Sequence, residues 1–183
     1  VAERVLDTYL LILRRVGSGL AAEEREQAER ELLAALERFA DSPAKAEALH
    51  WLAGRYHAGA AADTGMTAMA RADSARQMWT RAAQMAAGGP LEARVVWSLA
   101  ESLQDAMFAG ALDSAATLYN RLVDRHAGSR WGSLAGLRLG VIHLQQERQY
   151  LAYRTIAQWG KAHPYAVNEP DYRTALAQAA FLT

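Results

Sequence analysis

The chain has no cysteine, only two lysines (Lys45 and Lys161) among its twenty basic residues, and only four prolines in 183 residues. Without cysteine, disulfides, thiolate metal sites, cysteine nucleophiles and thioether-linked haem are all excluded. Few prolines, abundant Ala and Leu, and the lack of alternating β-branched runs leave helix as the expected local structure. An excess of one charge is missing too: twenty basic and twenty acidic residues cancel, so no net field draws nucleic acid or an anionic membrane. The longest strongly apolar run near the start covers residues 9–13, far short of the roughly 20 residues a membrane-spanning helix needs. No charged and then apolar leader precedes it, and the start at Val1 reads as processed or trimmed, which leaves targeting open. GxSxG, Walker A, GxGxxG and HExxH patterns are also absent, so the sequence advertises no enzyme site.

What the sequence does contain is internal repetition. Asp73-Ser74-Ala75-x-x-Met78-Trp79-x-Arg81-Ala82 aligns without gaps on Asp113-Ser114-Ala115-x-x-Leu118-Tyr119-x-Arg121-Leu122. The same register carries Ala87-Gly88-Gly89 onto Ala127-Gly128-Ser129 and Leu99-Ala100 onto Leu139-Gly140. Upstream, Ala28, Leu32, Ala35 and Ser42-Pro43 fall on Ala75, Trp79, Ala82 and Gly89-Pro90. The most complete unit has Leu139-Gly140 in one helix, then Ala152, Ile156 and Trp159 in the next, and Pro164 to close it. Gly140 and Ala152 are small where two antiparallel helices cross, and Leu139, Ile156 and Trp159 are large where the pair must fill its interior.

This order resembles the tetratricopeptide repeat, whose pattern runs Trp-x-x-Leu-Gly-x-x-Tyr, then Ala, an aromatic and Pro. Here Gly136 stands in the Trp position and His143 in the Tyr position. The resemblance implies an all-α, right-handed α-solenoid of about four helix-turn-helix hairpins. These are expected at about 1–40, 43–87, 90–127 and 130–164, with a capping helix at about 170–182, as one domain over 1–183. The turns Asp41-Ser42-Pro43 and Ala127-Gly128-Ser129 are similar to those of the bacterial envelope branch, which includes the Tol-Pal partner and the lipoprotein of the β-barrel assembly machinery. The Lys- and Asn-rich clamp of chaperone-associated members is not matched.

Hydrophobic spacing predicts helices over 1–16, 21–39, 43–58, a fourth that runs to about 86 after a stretch of some helical character at 66–71, then 91–109, 112–126, 131–147, 150–162 and 172–182, with Leu32, Leu33, Leu36 and Phe39 as the buried stripe of the second. Ser42 and Pro43 supply an N-cap and an N1 proline, and Asp113 or Ser114 is expected to cap the helix from 112. Residues 59–65 (GAAADTG) read as one long surface connection inside the second hairpin.

Candidate chemistry is sparse. His50 and His57 lie seven apart on one helix face, roughly 10 Å along the axis, too far for one zinc whose ligands sit about 2 Å away. They read as groove-lining or partly buried histidines, and no metal or cofactor is expected. His143 is expected to pack between helices, and His126 and His163 to be exposed. Glu101 and Asp105 are one turn apart and form an acid and base pair only if their environments drive their pKa values apart; a solvated or groove-lining pair is the simpler reading. Of the five tryptophans, 51, 79, 97, 131 and 159, Trp79 and Trp159 coincide with core positions of the repeat.

The helix faces that the resemblance turns toward the concave groove carry His50 and His57, then Arg94, Trp97, Glu101 and Gln104, then Leu137, Val141 and Leu144. The function implied is a non-catalytic protein–protein interaction scaffold that holds a peptide segment or subunit of a larger complex, with no nucleic-acid partner. An accessory role in a periplasmic or envelope complex is expected, a cytoplasmic one being the alternative. Two competing roles are a helical domain auxiliary to an enzyme on another chain, and a structural subunit docking by its convex face. The apolar trio Leu137, Val141 and Leu144 also has a rival occupant, the final helix through Tyr172, Leu176 and Phe181.

Overall fold

Ser42 and Pro43 start the most clearly marked helix. The Ser42 hydroxyl accepts from the Lys45 backbone N–H at 3.2 Å, while Pro43 occupies the first turn, where its missing donor costs nothing. The computed structural model describes residues 6–8, 10–11, 19, 21–106, 108–164 and 170–181, and among them no strand occurs. The described residues of 1–16 include helical ones (6–8 and 10–11); the rest of that expected helix lies outside them. The succeeding helices are α1 (Ala22–Leu36), α2 (Pro43–Ala62), α3 (Gly65–Met85), α4 (Glu92–Gln104), α5 (Ala111–His126), α6 (Arg130–Gln145), α7 (Gln149–Ala162) and α8 (Pro170–Phe181). The chain divides into two compact units, Val1–Val95 and Val96–Thr183.

In the first unit α2 packs along α3. The buried residues of the pair are Ala46, Leu49, Leu52 and Ala53 on α2 and Ala75, Met78, Trp79 and Ala82 on α3. Leu32 and Leu36 are buried on α1, with Leu33 and Phe39 only half-buried. Polar groups tie these helices together. Arg55 donates to the buried Glu29 at 2.9 Å, and Lys45, 4% exposed, donates from Nζ to the Phe39 carbonyl and to Asp41.

The expected long connection at 59–65 is corrected. α2 continues through Ala62, only Asp63 and Thr64 intervene, and α3 begins at Gly65 with φ +63°. One glycine does not end a helix when three alanines follow it. Gly59 is instead a close-approach site: a Cβ there would meet the Arg71 guanidinium, which reaches Glu26 at 2.8 Å and Asp63 at 2.9 Å.

In the second unit α6 packs against α5 on one side and α7 on the other, and α8 packs on α7 and α6. The aligned repeat positions are buried in both copies: Ala115, Tyr119 and Leu122 match Ala75, Trp79 and Ala82. Along α6 the glycines leave room for α7. A Cβ on Gly140 would strike Ile156, and one on Gly136 would strike the Trp159 indole. The family's tryptophan position therefore holds no side chain here, and Trp159 fills that space from the neighbouring helix, donating its indole N–H to the Ser133 carbonyl.

Other helix ends differ from expectation too, and α1 already stops at Leu36 rather than 39. α4 stops at Gln104 rather than 109. α5 is preceded by Gly110 at φ +80°, with no side-chain cap from Asp113 or Ser114; Asp113 accepts from Gln146 Nε2 at 2.8 Å instead. α6 stops at Gln145 because Glu147 turns left-handed at φ 59°, and the Glu147 and Arg148 N–H groups close back on Leu144 and His143 carbonyls.

Candidate functional site

α6 carries Arg130, Leu134, Leu137, Arg138 and Val141 at helical spacing, so they share one stripe. With Trp131, and with Trp97 and Glu101 of α4, they line a cleft of about 280 Å³ in the second unit. Arg130 is exposed, and Trp131, Leu134, Arg138 and Val141 are half-buried, so the cleft opens to solvent. Its floor is aromatic. Trp97, only 6% exposed, lies 5.5 Å from the Trp131 ring and 5.4 Å, edge-on, from Tyr119. Tilted and edge-on ring contacts of this kind restrict the orientations of the indoles.

Two guanidiniums flank that floor. Arg138 sits 5.9 Å above Trp97 and 3.4 Å from Glu101, while Arg130 sits 5.6 Å over Trp131. Cation–π contact orients each without neutralising it. Next to the cleft, Tyr119 donates to Gln104 and Gln104 donates to Gln145, each at 3.2 Å. Burial first, then the Glu101 charge, pushes the Tyr119 phenol well above its ordinary value, so it stays a neutral donor.

The residues expected to line one groove are used in different ways. Trp97, Glu101, Leu137 and Val141 reach this cleft; Gln104 serves the adjoining hydrogen-bond chain. His50, His57 and Arg94 belong to the first unit. There the Trp79 indole N–H donates to His50 Nδ1 at 3.1 Å, and the His57 ring lies 5.4 Å from Trp79. Arg94 lies 3.9 Å from Glu47.

The apolar trio of α6 needs a correction. Leu137 is buried in a core with Ala152, Ile156 and Trp159 of α7 and Tyr172, Ala175 and Ala179 of α8, and Val141 and Leu144 pack against the same cluster. Leu176 packs there too, but Phe181 stays 91% exposed. This face thus packs largely on the chain's own last two helices, the rival occupant raised above being one of them, while Leu137 and Val141 also reach the edge of the cleft. His163 is also not a bare surface residue, since its ring stacks on Trp159 at 4.8 Å.

Arg130, Trp131 and Arg138 were not singled out as site residues from sequence. Arg130 and Arg138 are eight apart and hence on one helix face, a usable signal. Glu101, which identifies Arg138 as part of a cleft, lies 37 residues away.

Neither the protein-family models nor the curated proteins include a match to this chain. A solved structure does resemble it: a crystal structure of nearly identical TPR-like repeats from Podosopora anserina, named for a kinesin light chain. The TM-score is 0.71 at 14% identity, covering 100% of this chain and 88% of that one. The fold is a TPR-like helical repeat. It is all-α and of the α-solenoid class. Among the described residues no helix is long and apolar enough to cross a membrane.

Proposed function

We propose that this TPR-like chain is a non-catalytic interaction module whose cleft between α4 and α6 receives a segment of a partner protein. The observation that carries the reading is the composition of the cleft. Two tryptophans of restricted orientation and two arginines are the residue types that dominate binding energy at interfaces. At about 280 Å³ the cleft is just below the roughly 300–1,000 Å³ of small-molecule sites, yet ample for one or two side chains of a docked chain.

The test is selection of phage-displayed random peptides on the whole chain, with counter-selection on Trp131→Ala/Leu134→Asp. Peptides that bind the native chain and not the variant are expected, with both proteins equally helical by circular dichroism. Binders indifferent to the double substitution would place the working surface elsewhere.

An accessory role in a bacterial envelope complex belongs to the same proposal, and the Asp41-Ser42-Pro43 and Ala127-Gly128-Ser129 turns support it. Fractionation of the native cells tests it: co-purification with envelope material is expected, and recovery wholly in the cytosol would refute it.

A further inference from the structure

We infer that the cleft selects a partner segment presenting an acidic side chain beside an aliphatic one. The inference rests on the interaction reading above and names the chemistry of the occupant. The chain as a whole is neutral, but the cleft is not: Arg130 and Arg138 face one carboxylate, Glu101, leaving an excess positive charge. Glu101 is engaged by Arg138 at 3.4 Å. Arg130 makes no ion pair among the described residues, and the contact that holds it is the Trp131 ring, 5.6 Å away.

A guanidinium lying on an indole keeps its N–H edge available, and that edge is the geometry a carboxylate accepts from. Leu134 lies one turn from Arg130, so an aliphatic side chain next to the acid has an apolar surface to cover. A basic residue at the same point would meet Arg130 and Arg138 together and is disfavoured. A phosphate or nucleic-acid backbone is a poorer fit because Glu101 stands inside the cleft and would repel successive phosphates.

The peptides obtained by the selection just described are made with acetylated and amidated ends, so that only side-chain carboxylates remain, and their affinities are measured by calorimetry. The cleft-dependent peptides are expected to share Asp or Glu next to Leu, Ile, Val or Met. Changing that acid to its amide should weaken binding to the native chain about fivefold or more, and should change little against Arg130→Gln. Arg130→Glu should invert the preference toward lysine.

Cleft-dependent peptides without a shared acid, or an amide penalty equally large in Arg130→Gln, would overturn the inference while leaving the interaction reading intact. Binding that requires a free C-terminal carboxylate would overturn it as well. Failure to recover any cleft-dependent peptide would remove both.

Discussion

At the scale of single residues, the α6–α7 crossing turns on two missing side chains. Gly136 and Gly140 are helical glycines, normally a cost of about 0.5–1 kcal/mol each against alanine, yet Trp159 and Ile156 occupy the space their side chains would need. Gly136→Ala should therefore lower stability by about 1–3 kcal/mol through overpacking. Gly54 supplies the contrast, because it is helical and a Cβ there meets nothing within 4 Å. Gly54→Ala is expected to raise stability by about 0.5–1 kcal/mol. Urea midpoints of the two variants should move in opposite directions, and movement of both upward would mean that Trp159 yields easily. Glu147, left-handed at φ 59° with its motif bonds made by backbone alone, gives a third test. Replacing it with glycine removes a strain of about 1–2 kcal/mol at some entropic cost, so a small net gain is expected.

At the scale of elements, helix positions were largely legible because apolar spacing and caps such as Ser42-Pro43 are local signals. The repeat alignment also located the core residues Ala75, Trp79, Ala115 and Tyr119. What sequence did not reveal, Glu101 with Arg138 and Glu29 with Arg55, or left as one of two readings, the covering of Leu137 by α8, depends on partners far along the chain. Faces that a repeat pattern assigns to a groove become core wherever another helix lies on them, and a periodicity cannot report that. Tyr172 is the main anchor of that covering helix, 6% exposed, with its ring 5.7 Å from Trp159. Tyr172→Ala should cost about 3–5 kcal/mol and expose 170–181 to limited proteolysis; an unchanged cleavage pattern would mean that α8 holds without it. The end of α6 carries a pH dependence. Burial, followed by Arg148, holds His143 below its ordinary value of 6.5, against the opposing effect of its hydrogen bond with the Gln146 side chain. The unfolded chain then binds the proton more readily than the folded one, so the stability that neutral His143 contributes is fully present above about pH 6.5 and is lost as pH drops below it. Thermal midpoints measured between pH 8 and pH 5 should decline less for His143→Gln than for the native chain; parallel curves would remove His143 as a contributor.

At the scale of the whole molecule, a repeat fold makes stability a sum of local terms, because each helical hairpin rests chiefly on its immediate neighbours. The two compact units, Val1–Val95 and Val96–Thr183, each contain a packed helical core of their own. Leu49 and Ile156 are fully buried representatives of the first and second unit, and truncating either to alanine should cost about 2–5 kcal/mol locally. Amide hydrogen exchange followed by mass spectrometry separates local from global loss. Leu49→Ala should accelerate exchange across 43–85 and leave 130–160 protected, whereas Ile156→Ala should do the reverse. The same experiment bears on the cleft, which lies wholly in the second unit: Leu49→Ala should retain affinity for a cleft-dependent peptide that Ile156→Ala loses. Uniform acceleration by either substitution would show that the chain opens as one cooperative block, and the cleft would then depend on residues throughout its length.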